Sequence, residues 1–115
     1  MSADLISAMF ELIDRADWPG LGTLFCDDVV YERPGYSPFA GRDRVLQFYR
    51  HERIIARGTH VLERTVFGDG QGACWGRFTG TTKDGTAIEV RFAEVYRLED
   101  ARVKHRTTYF YWPAV

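Results

Sequence analysis

Arg33, His60 and Glu94 are the side chains of this 115-residue chain whose types and settings lend themselves to acid-base or electrostatic chemistry. Val29, Val30 and Tyr31 read as a strand that Pro34 and Gly35 end, and between them lie Glu32 and Arg33. On a regular strand these opposite charges point to opposite faces, so one of them faces the covered side of the sheet. Arg33 is expected to face in, with Glu32 out or along the rim. The plainer alternative puts Arg33 at a pocket mouth, its guanidinium in solvent and its stem over apolar surface. A buried guanidinium needs a carboxylate partner, because an unpaired interior charge is very costly. Glu94 is the expected partner. In "EVRFAEVYRL", alternation sets Val90, Phe92, Glu94 and Tyr96 on one face and Arg91, Ala93, Val95 and Arg97 on the other. A carboxylate between Phe92 and Tyr96 has a raised pKa unless an arginine compensates, and then serves as acid, base or ion-pair partner.

His60 opens a strand in "ARGTH", and an imidazole there is a general base near neutral pH without special tuning. The plainer reading of a lone strand histidine is structural. Arg106 and Thr108 are taken as inward residues, so His105 between them points away, and His51 belongs to a helix surface. Histidines this scattered do not suggest a metal site. Cys26 and Cys74 lack paired spacing, which leaves them as free thiols. No cofactor and no metal are expected.

The elements that must position these groups follow from periodicity. Leu5, Ile6, Met9, Phe10, Ile13 and Ala16 recur at helical spacing. Asp17 caps a short second helix with Pro19 in its first turn. After the first strand and a turn-rich loop, Gly35 to Gly41, a longer helix is expected from about Arg42 to Arg57, ended by Gly58. Four strands follow: "THVLERTVF" (59–67), "GACWGRFTGTT" (72–82), "TAIEVRFAEVYRL" (86–98) and "RVKHRTTYFYW" (102–112). "GDGQ" and "KDG" are hairpin signals between them. Helices first and an antiparallel meander after is an α+β pattern. A long curved sheet folded over helices encloses a conical cavity, where small ligands bind. Tyr31, Tyr49, Trp75, Phe92, Tyr96 and Phe110 are candidate walls, with Arg77, Arg106 and Thr108 as polar contacts.

Bulk composition fits one domain over residues 1–115. Hydrophobic residues make up 45% and charged residues 27%, with 15 basic against 16 acidic side chains. That balance argues against a nucleic-acid binder, which carries a basic face. No apolar run approaches the roughly 20 residues of a membrane span. The start of the chain lacks the basic-then-apolar pattern of a secretory signal, so a cytoplasmic location is expected.

The order helix, helix, strand, helix, then four meandering strands resembles the nuclear transport factor 2-like superfamily. Within it, the likeness is to the SnoaL-like and ketosteroid isomerase-like group. "ADWPGLGTLFCDDVVYERPG" (16–35), "FAGRDRVLQFYRHERIIARGTH" (39–60), "VRFAEVYRLEDARV" (90–103) and "RTTYFYWP" (106–113) carry it. The resemblance implies a cone-shaped barrel, a curved antiparallel sheet wrapped over three N-terminal helices, as in cystatin-like folds. It also implies a homodimer paired through the sheet, and a strand register with Trp75 and Arg77 inward, although periodicity alone leaves that face open.

In ketosteroid isomerase the base is a carboxylate before a proline, with a tyrosine and a protonated Asp at the oxyanion. On this chain the resemblance puts those positions at Arg33, Met9 and Glu94. The last-strand Asp of SnoaL-like cyclases and limonene epoxide hydrolase falls on Thr108. Two functions are therefore carried forward. One is an isomerase, cyclase or hydrolase acting on a small apolar, polycyclic, ketone-like or epoxide-like molecule. In it Glu94 supplies the acid-base chemistry, His60 or a water assists, and Arg33 or Arg106 holds an oxyanion. The other is a non-catalytic binding or accessory domain.

Ketosteroid isomerisation itself is expected to be absent or negligible. Arg cannot accept a proton at neutral pH, and general-base catalysis alone is worth about 10²–10⁴-fold. Conjugation of a 5-ene-3-ketosteroid, followed by ultraviolet absorbance, tests this. A gain of activity in Arg33→Asp supports the assignment, whereas strong turnover by the unaltered chain shows that another residue supplies the base.

Overall fold

The computed structural model describes residues 2–113. Helix α1 (Ser2–Asp14) lays Ile6, Met9, Phe10 and Ile13 into the core, the stripe expected from their spacing. Helix α2 (Trp18–Gly22) is capped by Asp17, whose carboxylate accepts the Gly20 N–H at 3.0 Å. Strand β1 (Phe25–Glu32), the two-residue strand β2 (Phe39–Ala40) and helix α3 (Arg42–Gln47) follow. Strands β3 (Ile55–Gly68), β4 (Gln71–Thr82), β5 (Ala87–Glu99) and β6 (Arg102–Phe110) then form a meander.

All six strands join one curved sheet in the order β2-β1-β6-β5-β4-β3. The sheet is unclosed, and one pair departs from the antiparallel expectation, since β1 runs parallel to β6. The β3–β4 turn places Asp69 and Gly70 at φ 56° and 74°, the left-handed pair that a two-residue hairpin requires. Asp100 and Ala101 make the β5–β6 turn with φ 52° and 61° and no glycine. No helix among the described residues is long and apolar enough to cross a membrane.

Two departures from the sequence expectation bear on the site. The helix expected over 42–57 stops at Gln47, a π-helical turn covers Phe48–Glu52, and Ile55 already pairs with Thr82 in β3. In that turn Arg53 N–H donates to the Phe48 carbonyl at 2.9 Å, and Arg44 grips Glu52 through two hydrogen bonds of 2.8 and 2.9 Å. The wide turn buries Phe48 and Tyr49 side by side, and it delivers Arg53 to the mouth of the sheet. Gly58 therefore caps no helix. It is a packing glycine, because a Cβ there would stand 2.4 Å from the Phe78 ring.

The second departure concerns β4. Cys74, Gly76, Phe78 and Gly80 face the core, while Trp75 and Arg77 are exposed on the outer face. The reason is register: Cys74 pairs with Glu94 and Gly76 with Phe92, so they share the inner face of β5. Gly76 sits where β3 bulges between Leu62 and Arg64, and a Cβ there would meet the Val61 carbonyl at 2.1 Å. Only glycine allows that approach of the β3 backbone.

Candidate functional site

Inside the concave face lies a polar cluster centred on Glu94, which is 2% exposed. Arg106, from the neighbouring strand, donates Nε–H and Nη2–H to its two carboxylate oxygens at 2.9 and 2.8 Å. The Thr108 hydroxyl donates to it at 2.6 Å, and the Tyr96 hydroxyl donates to it as well. Burial by itself would raise the Glu94 carboxyl. The Arg106 charge and these hydrogen bonds outweigh it and hold the group below the ordinary carboxylate range. Burial, and then the Glu94 charge, push the Tyr96 phenol up and the Cys74 thiol up to about 11, so both stay protonated. Glu94 is thus an ionised carboxylate with a full set of donors.

This corrects the expected ion pair: the partner of Glu94 is Arg106, one strand away, and not Arg33. Side-chain reach decides it, since Tyr96 and Arg106 are cross-strand partners and Glu94 lies diagonally beside Arg106 on the same face. The cluster continues outward. Tyr31 shares a 2.9 Å hydrogen bond with Thr108, and because Thr108 donates to Glu94, Tyr31 is the donor. Arg106 Nη1–H donates to the Tyr49 oxygen at 2.7 Å. Tyr49 is stacked on Trp18 with centroids 5.1 Å apart, and burial pushes its phenol up to about 12. Its own O–H therefore remains, and that hydrogen has no acceptor among the described residues.

A small cavity of about 30 Å³ opens between this cluster and the helices. Tyr31, Tyr49, Phe92, Phe110, Glu94 and Arg106 line it, together with Arg33, His60 and Arg53. His60 Nδ1–H donates to Asp14 Oδ1 at 2.6 Å, while the His60 backbone N–H donates to Asp14 Oδ2 at 2.9 Å. The ring is wedged among Phe10, Phe78 and Phe92 with centroids 4.5–5.4 Å away. Burial lowers the imidazole pKa below its ordinary 6.5 by more than Asp14 raises it, which leaves a neutral ring at pH 7. Its Nε2 lone pair has no partner among the described residues. A carboxylate on Nδ1 and a free Nε2 are the arrangement of an oriented general base.

Arg33 faces inward and Glu32 outward, where Glu32 meets His105 at 2.6 Å. Of the other expected site residues, Tyr96 and Thr108 hold Glu94 from behind, while Trp75 and Arg77 lie outside, away from the cavity. Sequence reasoning missed Asp14 and Arg53. Asp14 follows Phe10 at i+4, so an acid on the buried stripe was a usable signal. Arg53 had none, because it was assigned to a helix. Among the described residues no group of His, Cys, Asp or Glu could hold a metal, and both cysteines are free thiols.

A family model for the SnoaL-like domain matches residues 6–106. The chain belongs to that family. No curated protein matches this SnoaL-like domain. Among solved structures it is similar to an NTF2-like protein of unknown function from Burkholderia pseudomallei, with a TM-score of 0.86 at 21% identity over 95% of this chain and 89% of that one. A protein with a ketosteroid isomerase-like fold from Catenulispora acidiphila, in complex with trimethylamine, gives 0.85 at 18% identity over 96% and 88%. An LEH-like epoxide hydrolase of M. tuberculosis gives 0.83 at 16% identity over 95% and 81%. Likeness at such identities establishes the fold.

The Glu94–Arg106 pair yields a stability prediction. Glu94→Gln strands the Arg106 charge and is expected to destabilise by about 3–5 kcal/mol. The folded-state pKa of Glu94 lies below its unfolded value. Its stabilisation is therefore complete above the unfolded pKa and lost as pH falls through the folded one. Urea unfolding between pH 7 and 3 checks both points. An unchanged midpoint in Glu94→Gln, or an acid dependence identical to that of the unaltered chain, refutes the assignment.

Proposed function

We propose that this SnoaL-like domain is a cofactor-independent enzyme acting on a small, largely apolar carbonyl compound, with His60 as general base. The observation that carries the reading is the His60–Asp14 pair: Asp14 holds Nδ1, Nε2 has no partner among the described residues, and His60 lines the cavity. Nε2 takes a proton from the carbon beside the carbonyl, and the electron pair of that C–H bond passes to the carbonyl oxygen. Tyr49 O–H, polarised by Arg106 and kept protonated by burial, donates to that oxygen. The proton returned to a second carbon completes an isomerisation, and attack of the enolate on another carbonyl completes a cyclisation. Glu94, with every acceptor site engaged, orients Arg106 instead of moving protons. One observation favours a non-catalytic binding domain: Glu94, the carboxylate that lines the cavity, is fully engaged by Arg106, Thr108 and Tyr96.

Deuterium exchange from heavy water into a panel of cyclic ketones, followed by NMR, separates the two. The enzyme reading expects exchange that falls about 10²–10⁴-fold in His60→Gln and also falls in Tyr49→Phe. Its acid limb lies below the ordinary histidine pKa of 6.5, because the base works unprotonated and burial lowers its pKa. Exchange unchanged in His60→Gln rejects His60 as the base, and no exchange with any ketone favours the binding domain.

We also propose that two copies pair through the outer face of the sheet. Val61, Val66, Trp75, Val95 and Tyr109 stand there between 41% and 59% exposed, an apolar patch on the meander's convex side. A two-fold pairing of like faces is the commonest way to cover such a patch. Light scattering is expected to return twice the 13.2 kDa chain mass at micromolar concentration, reverting to one chain in Val95→Arg. A monomeric unaltered chain overturns the proposal.

A further inference from the structure

Arg33 and Arg53 both line the cavity, and neither has a carboxylate partner among the described residues. Both are half-buried, at the rim where the cavity meets solvent. The acids that chain order places beside them are engaged elsewhere. Glu32 turns to the outer face and binds His105, and Glu52 is held in two hydrogen bonds by Arg44. Glu94 is neutralised by Arg106, and Asp14 is occupied with His60.

Aromatic rings surround the Arg33 guanidinium, those of Phe48, Phe110, Tyr36 and Tyr31 lying 4.9–5.9 Å from its central carbon. Arg53 lies 5.4 Å from the Tyr49 ring. Rings solvate the charge but accept no N–H hydrogen bond along the guanidinium edge. That edge is under-satisfied: Arg33 donates one hydrogen bond, from Nη1 to the Tyr31 oxygen at 3.2 Å, and its Nε is buried without a partner. Burial, and with it the neighbouring Arg33 charge, pulls the Arg53 pKa down, so an anion between them would relieve both.

We propose that Arg33 and Arg53 form a clamp for a carboxylate carried by the ligand, so that this domain takes small aromatic or polycyclic acids. A planar carboxylate presents two oxygens to guanidinium forks. The cavity of about 30 Å³ admits that group alone, so the remainder of the molecule lies at the rim against the half-buried Tyr36 and Phe110. The clamp lies beside His60 and Tyr49 in the same cavity. This inference deepens the proposed function by naming its substrate class, but binding alone tests it. The same two charges disfavour a cationic occupant.

The experiment is calorimetric titration with 2-naphthoate and its neutral isostere 2-naphthamide, at low and high salt. The expected result is that the acid binds at least about tenfold tighter than the amide. That preference should shrink with salt and be lost in Arg53→Met and in Arg33→Met. Arg33→Lys, which keeps the charge without the fork, accompanies them, and circular dichroism confirms that each variant folds. Arg102→Met, an exposed cation at the start of β6 away from the cavity, should keep the preference. Equal affinity for acid and amide, failure of the acid to bind, or unaltered preference in both folded Met variants overturns the clamp. Acid binding without deuterium exchange into any ketone leaves the clamp standing and removes the catalytic reading. Exchange into neutral ketones without acid preference does the reverse.

Discussion

The Glu94–Arg106 pair is the interaction on which the rest of the interior depends. Both side chains are essentially out of water, at 2% and 3% exposure. An ionised pair is tolerated there only if the remaining lone pairs and protons are satisfied. Thr108 and Tyr96 satisfy Glu94, and Tyr49 accepts the spare Arg106 proton. Each of those groups is fixed in turn, Tyr49 by Trp18 and Tyr31 by Thr108. A cavity wall made of phenols and a guanidinium is thereby held rigid by three strands and a helix turn. Loss of one partner leaves several polar groups unsatisfied at once, which is how such networks exceed the sum of their pairs.

Satisfaction of hydrogen bonds also sorts the charged groups into two kinds. Glu94 and Arg106 have partners for their charges and serve as architecture. Arg33 Nε is buried without a protein partner, and His60, Tyr49 and Arg53 line the same cavity as Arg33. The sorting runs opposite to what residue type alone suggests. The carboxylate with the most distinctive sequence setting is the least available for chemistry.

Legibility in the sequence followed the physics of each element. Alternation placed Phe92, Glu94 and Tyr96 on one face, because β5 is regular and its inner face is apolar apart from one acid. Pro34 follows the end of β1, and alternation with the buried Val29 and Tyr31 turns Arg33 inward. The β4 faces were not legible, since Trp75 and Phe78 offer an aromatic residue to each side. A bulge in β3 and an inner glycine decided the register. The helix over 42–57 failed for a related reason. Its apolar spacing is genuine up to Tyr49, but the Ile54 carbonyl accepts from the distant Lys83 N–H and the β-branched Ile55 opens β3 opposite Thr82. Glu94's partner was missed because Arg33 and Arg106 both face inward, and only sheet order places Arg106 on the adjacent strand.

With the charges located, the chain shows an inverted polarity relative to the ketosteroid isomerase pattern it resembles. There a carboxylate at the end of the first strand faces an acid on a late strand. Here a cation, Arg33, follows the last residue of the first strand, and the late-strand acid is bound to Arg106. In the proposed function the base is His60 on β3, braced by Asp14 from α1. Both ends of the dyad come from elements that the rest of the core already immobilises, Asp14 one residue beyond buried Ile13 and His60 between Phe10 and Phe78. A base fixed in that way needs no anionic neighbour in the cavity, so the first strand is free to carry a cation. The proposed clamp makes that cation the cavity's point of contact with an acid.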